Sequence, residues 1–271
     1  MSFREFSGRV NQLGDRIRQD IQNCDCMEDA AKKFTSAIYR EFSKSFVLSR
    51  LFITVPFCDL PDTNKTFVEK LAVSKGLQSQ LQDNTPVLSL LGTCGQNGLW
   101  NDRNNSSAHI GIPLLSEAFI DAIPMMSRLL KELGIRISWL ENFDSRIVTQ
   151  KNGSISGLFY VEDAAESLDE KGRKIISEQD FVSQYQVRTV FGMGGQISIA
   201  RKYVVMINFL NRNLPQKGAE LFIRYINIFN GETGILARDG KIFGTQRSKK
   251  NYDFQVTDIF SRAARLVGCE A

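Results

Sequence analysis

Val187-Arg188-Thr189-Val190-Phe191 and Tyr203-Val204-Val205-Met206-Ile207-Asn208-Phe209 are β-branched and aromatic runs on either side of Gly192-Met193-Gly194-Gly195. Runs of this composition read as strands, and the glycines between them read as a tight connection. Upstream, Asn152-Gly153 separates Arg146-Ile147-Val148 from Ile155 to Val161, the short-range signature of a hairpin. Downstream, Thr233 to Phe243 alternates in twos around Arg238-Asp239-Gly240, which predicts another hairpin.

Working back from this strand-rich half, Val47 to Pro56 reads as a strand stopped by proline, and Pro86 to Gly92 as another ending at glycine. Asp62 or Thr63 is placed to cap a helix over about 66–72, and Ser116 to cap one that includes Phe119 and Ile120. Pro124-Met125-Met126 opens a helix that stops at Gly134. A further helix is predicted from Pro215 to Phe229, and Asp163 to Glu178 is a polar loop.

Two helices lead the chain. Phe3, Phe6, Val10, Leu13, Ile17 and Ile21 recur every three or four residues, and Met27 to Phe42 carries Ala30, Ala31, Phe34, Ala37, Ile38 and Phe42 on one face. Phe254 to Val267 reads as an amphipathic C-terminal helix. Helices first, then strands interleaved with short helices and hairpin turns, predict an α+β fold: a central antiparallel sheet flanked by helices, with helical extensions at both termini. The expected division is an N-terminal helix over 1–24, a core domain over 25–233, and a C-terminal hairpin and helix over 234–271.

The 271 residues, 42% of them hydrophobic, suffice for one large core without staples. The net charge of +4 is mild and its signs are mixed, which argues against nucleic acid as a partner. The compact basic group Arg247, Lys249 and Lys250 reads as a solvated tail. No secretory leader and no run of about 18 apolar residues is present, so a cytoplasmic protein without membrane contact is expected. Cys24, Cys26, Cys58, Cys94 and Cys269 form an odd set without metal-ligand spacing and are expected as reduced thiols.

The stretches Gly92-Thr93-Cys94-Gly95, Trp100-Asn101-Asp102-Arg103, Ser106, His109, Ile112-Pro113-Leu114, Ser116, Phe119 and Ile123 to Met126 form one ordered set. Phe159 to Ala164, Phe181-Val182 and Val190 to Gly195, continuing to Phe222, form a second. Together, over about 35–229, they resemble an uncharacterised bacterial GAF-like or PAS-like sensory region of the kind found upstream of histidine kinase or nucleotide cyclase output domains. The resemblance implies a central antiparallel sheet with a pocket on one face and a role in signal transduction. The chain ends soon after that region, leaving no room for an output domain, so action by itself and action through a partner both stay open.

Chemistry concentrates between Cys94 and His109. Trp100, Asn101, Asp102 and Arg103 offer an aromatic plane, an amide, a carboxylate and a guanidinium, suited to a planar or anionic ligand. The plainer reading has Asp102 pairing with Arg103 or capping a turn while Trp100 plugs the edge of the core. His109 is the sole histidine, and no Gly-x-Ser-x-Gly elbow supplies a nucleophile for it to serve. It is expected to make a structural hydrogen bond to backbone or to a carboxylate. The expectation is therefore a non-catalytic sensory or regulatory module that holds an unidentified small molecule near Cys94, Trp100, Asn101, Asp102, Arg103 and His109. It would signal through a homodimer or a partner protein. The alternatives are a haem sensor ligated by His109, or a small hydrolase or transferase using Cys94 with His109. No metal site is expected, and the cofactor is left open. Terminal helices, the Phe3 to Ile21 stripe above all, are the expected dimer seam, the competing reading being that they pack on the outer face of their own sheet.

Overall fold

The computed structural model describes residues 3–106, 109–135 and 156–244. Six strands form one open sheet: β1 (Phe46–Pro56), β2 (Pro86–Gly95), β3 (Gly111–Pro113), β4 (Ser156–Val161), β5 (Thr189–Ile197) and β6 (Lys202–Leu210). Their spatial order is β3-β2-β1-β6-β5-β4, and every neighbouring pair is antiparallel. The first and last strands are the central pair, so the N-terminal half of the sheet is joined to the rest through β6.

Eight helices accompany the sheet among the described residues: α1 (Phe3–Ile21), α2 (Met27–Glu41), α3 (Asp62–Ser74), α4 (Glu117–Asp121), α5 (Pro124–Glu132), α6 (Gln179–Gln184), α7 (Gln216–Glu220) and α8 (Ile223–Arg238). Ser116 caps α4 by accepting the Phe119 amide, as its position predicts, and Gly134 follows α5 with φ +71°. The α+β expectation with a central antiparallel sheet therefore describes the fold.

Strand alternation divides the core into two layers. Leu51, Ile53 and Val55 of β1 face α1, α2 and α8, together with Val87, Phe191, Met193, Val204 and Met206. Leu48 and Phe52 face the opposite way with Leu88, Leu90, Val205 and Ile207, towards Phe119 of α4, Leu129 of α5 and Val182 of α6. These are called below the α2 face and the α5 face. With helices on both sides, β1 reads as a nearly continuous apolar run.

Three expectations are corrected. Gly192-Met193-Gly194-Gly195 is no connection between strands but the middle of β5, paired residue by residue with β4 and β6. The glycines serve packing: a Cβ on Gly192 would meet Leu129 Cδ1 at 2.9 Å, and one on Gly194 would meet Leu133 Cδ1 at 2.7 Å. On the neighbouring strand, a Cβ on Gly157 would lie 2.9 Å from Leu133 Cα. The three bare positions let α5 and the residue after it lie directly on the sheet. Gly194→Ala is expected to destabilise the fold by about 2 kcal/mol, because the Val204 carbonyl oxygen also stands 3.0 Å from the added carbon. A urea titration would show it as a lower midpoint with unchanged slope.

The second correction concerns the C-terminal part. Pro215 to Phe229 is two helices, α7 and α8, and α8 runs on to Arg238 where a hairpin was expected. Ile226, Phe229, Thr233 and Ala237 are buried at spacings of three and four, and the Thr233 hydroxyl donates to the Phe229 carbonyl at 2.7 Å. That helical stripe outweighs the apparent alternation. Arg238-Asp239-Gly240 is a helix end, with Gly240 at φ +71°.

The third correction is to the 1–24 stretch as an extension outside the core. Val10, Leu13, Ile17 and Ile21 are all at most 2% exposed and belong to the same core layer as α2 and α8. The Tyr225 hydroxyl of α8 donates to the Val10 carbonyl at 2.7 Å. From Val10 to Ile21 the stripe is covered by its own chain, so this part of α1 belongs to the core. The first arm of the Asn152-Gly153 hairpin, the basic tail and the Phe254 to Val267 helix lie outside the described residues.

Candidate ligand-binding site

On the α5 face of β1, Leu48 and Phe52 are apolar and the Thr54 hydroxyl accepts the Tyr203 amide at 2.8 Å, which leaves Arg50 as the one charged residue there. Arg50 stands between Leu48 and Phe52 on β1, opposite Thr93 of β2 and Ile207 of β6. Its neighbour Ser49 points to the other face and hydrogen-bonds the Asn208 side chain at 2.8 Å, which fixes the alternation. Arg50 as a residue is half-buried, but its Nε is sealed from solvent and has no hydrogen-bond partner among the described residues. The hydroxyl of Thr93, only 4% exposed, is likewise without a partner. Directly opposed residues hold their Cβ atoms about 5 Å apart, so two orphaned polar groups share one spot on the sheet.

No carboxylate pairs with Arg50 among the described residues. Burial pushes its pKa down to about 10, so it stays charged at neutral pH. His109 lies within reach of that charge. Burial first, and the Arg50 cation second, push the imidazole down to about 3, and His109 is neutral at physiological pH. The structural partner expected for His109 was backbone or a carboxylate; its electrostatic neighbour is instead a cation. Ser106, three residues earlier, has a second buried hydroxyl without a partner among the described residues.

An imidazole held at about 3 in the fold, against about 6.5 in the unfolded chain, makes stability pH-dependent. Between those values the unfolded chain takes up a proton that the folded chain refuses. The contribution is therefore complete above about pH 6.5 and is lost as pH falls. Wild-type protein is expected to lose stability more steeply than His109→Gln between about pH 6.5 and pH 4, by up to about 1.4 kcal/mol per pH unit. Parallel denaturant titrations of the two proteins would measure the difference; equal slopes would contradict it.

The other residues expected at the site are held in the architecture. Asn101 Oδ1 accepts the Gly95 amide at 2.9 Å, and Asp102 accepts the Asn104 amide at 3.0 Å, closing a turn. Trp100 packs on the core edge, its ring centre 4.8 Å from that of Tyr185 and 5.8 Å from that of Phe181. A Cβ on Gly95 would touch the indole at 2.8 Å. Thus the plainer reading of Trp100 and Asp102 describes them.

Arg103 is 5% exposed and donates to Glu28 at the start of α2 and to Asn64 of α3. Its guanidinium also stands 5.1 Å from the ring centre of Phe243. Asn64 in turn donates to Ser89 and to the Ile110 carbonyl. This is a clasp joining three segments, and Arg103→Met is expected to cost about 2–3 kcal/mol by stranding Glu28 and Asn64. Chemical denaturation would register it, whereas a change within about 0.5 kcal/mol would show the clasp to be idle.

Cys94 points to the α2 face, opposite Ser49 and beside Ser36, Tyr39 and Arg40 of α2. Burial pushes its thiol up, which keeps it protonated and unreactive. Thr93, the residue before it, points to the Arg50 side. The thiol and His109 are thus not brought together as a catalytic pair. Among the described residues no three His, Cys, Asp or Glu side chains gather as a metal site, and no helix is long and apolar enough to cross a membrane.

Sequence reasoning missed Arg50 and Thr93. The available signal was a lone arginine inside an apolar ten-residue strand, where a charge needs a reason to be. Comparisons with protein-family models, curated proteins and solved structures found no match to the chain.

Proposed function

We propose that the chain is a non-catalytic sensory or regulatory module that holds a small molecule on the α5 face of its sheet, at Arg50 and Thr93 beside His109. The observation that carries this reading is the pair of unpartnered polar groups on opposed strands. A charge and a hydroxyl in an apolar layer destabilise the fold unless something satisfies them. Such isolated, convergent polar groups in an apolar lining are what orients a bound small molecule. A GAF-like or PAS-like assignment fits this reading, since the open antiparallel sheet carries the candidate site on one face and stacks its helices on both. Signal output would pass to a partner protein.

A rival location is a groove of about 280 Å³ between α1 and α2, lined by Leu13, Arg16, Asp20, Ala37, Arg40 and Glu41. One of its two acids is engaged, because Glu41 already holds Arg9 and Arg16. A thermal-shift screen of small molecules against wild-type, Thr93→Val and Arg16→Ala proteins separates the two. Stabilising compounds are expected to give a smaller shift in Thr93→Val than in wild type and an undiminished one in Arg16→Ala. The reverse pattern would move the site to the groove, and a purified protein with a Soret band would turn the reading towards haem at His109.

A further inference from the structure

We infer that the ligand is an organic monocarboxylate with an apolar body, its carboxylate set against Arg50 and Thr93. The inference rests on the binding site proposed above and goes on to its chemistry. The orphaned groups there, the Arg50 Nε–H and the Thr93 hydroxyl, can both donate. Both atoms are sealed in the ligand-free fold, so a carboxylate oxygen that accepts from both enters as the side chains around them part on binding. An ionised carboxylate is acceptor-only, and its two oxygens match the planar fork of a guanidinium. His109 adds no competing charge, since it is neutral at physiological pH.

Charge balance sets the class. One guanidinium acts at this place, and among the described residues the charge that perturbs His109 is that of Arg50. A carboxylate closes the account at zero. A phosphate monoester brings nearly two negative charges, and the excess would stand in an apolar layer with nothing to offset it. The surroundings favour an apolar remainder: Leu48, Phe52, Ile207 and Phe209 belong to the same core layer as the strand positions flanking Arg50.

The test is a thermal-shift series with matched probes at about 10 mM against equal sodium chloride: hexanoate with hexanamide, benzoate with benzamide, and phenyl phosphate. At least one carboxylate is expected to raise Tm by about 2 °C or more in wild-type protein while its amide does not. Arg50→Met is expected to abolish the shift, and Thr93→Val, which keeps the charge, to weaken carboxylate binding several-fold. Amides as effective as acids, or phenyl phosphate as the strongest probe, would overturn the monocarboxylate assignment and leave a binding site standing. No shift with any probe would overturn both the assignment and the binding reading.

Discussion

Arg50→Met is expected to leave the protein folded, to raise its melting temperature by a few degrees, and to lower carboxylate affinity by about a hundredfold. The two effects have one origin. In the ligand-free protein the guanidinium is held among apolar side chains with a sealed, unpartnered Nε and no carboxylate beside it among the described residues. Removing a charge from such a place relieves desolvation, and methionine refills most of the volume of the stem. A gain of about 1–2 kcal/mol is the expected size, since Arg50 is half-buried and not fully enclosed. The same substitution removes the cation that would recognise an anion. Calorimetry of both proteins, followed by titration with hexanoate, reads the two quantities. A less stable variant would show that Arg50 holds the fold together instead of being held in it at a cost.

Gly92→Ala is expected to destabilise the protein by about 4 kcal/mol or to prevent folding at ordinary temperatures. A Cβ at this position would lie 2.5 Å from the Ala31 carbonyl oxygen and 2.6 Å from its carbon, both backbone atoms of α2. Neither can rotate away as the end of a leucine side chain can. Relief would require α2 to lift from β2, and with it Phe34 and Ile38, which are fully buried in that layer. Gly194→Ala, whose nearest obstacle is a flexible side chain, should be milder by a factor of about two. Denaturant midpoints of the two variants give the comparison, and equal losses would mean that the helix yields as easily as a leucine.

How much of this could be read beforehand differs by element. The α1 stripe, α2, β1, β2, β6 and the Ser116 cap were legible because each has a strong local signature: a 3.6-residue period, a β-branched run, or a capping residue at the right offset. The glycines of β5 were not, because glycine ordinarily marks a turn, and only the close approach of Leu129 and Leu133 explains its use inside a strand. Thr233 to Arg238 was misread because six residues alternate plausibly as strand, whereas the stripe that continues Ile226 and Phe229 needs the longer window. At the site, the density of polar residues from Trp100 to Arg103 was misleading. Such residues often satisfy one another and the backbone, as Asn101, Asp102 and Arg103 do here. Arg50 and Thr93 were hidden because their significance lies in strand pairing, which sets them opposite each other across 43 residues of chain.

The most direct test of the carboxylate site is a crystal structure of the protein grown with hexanoate. The account predicts the carboxylate seated on the Arg50 guanidinium, one oxygen within hydrogen-bonding distance of the Thr93 hydroxyl and the alkyl chain along the α5 face. Arg50 paired instead with a carboxylate of its own chain, or hexanoate bound in the groove between α1 and α2, would contradict it.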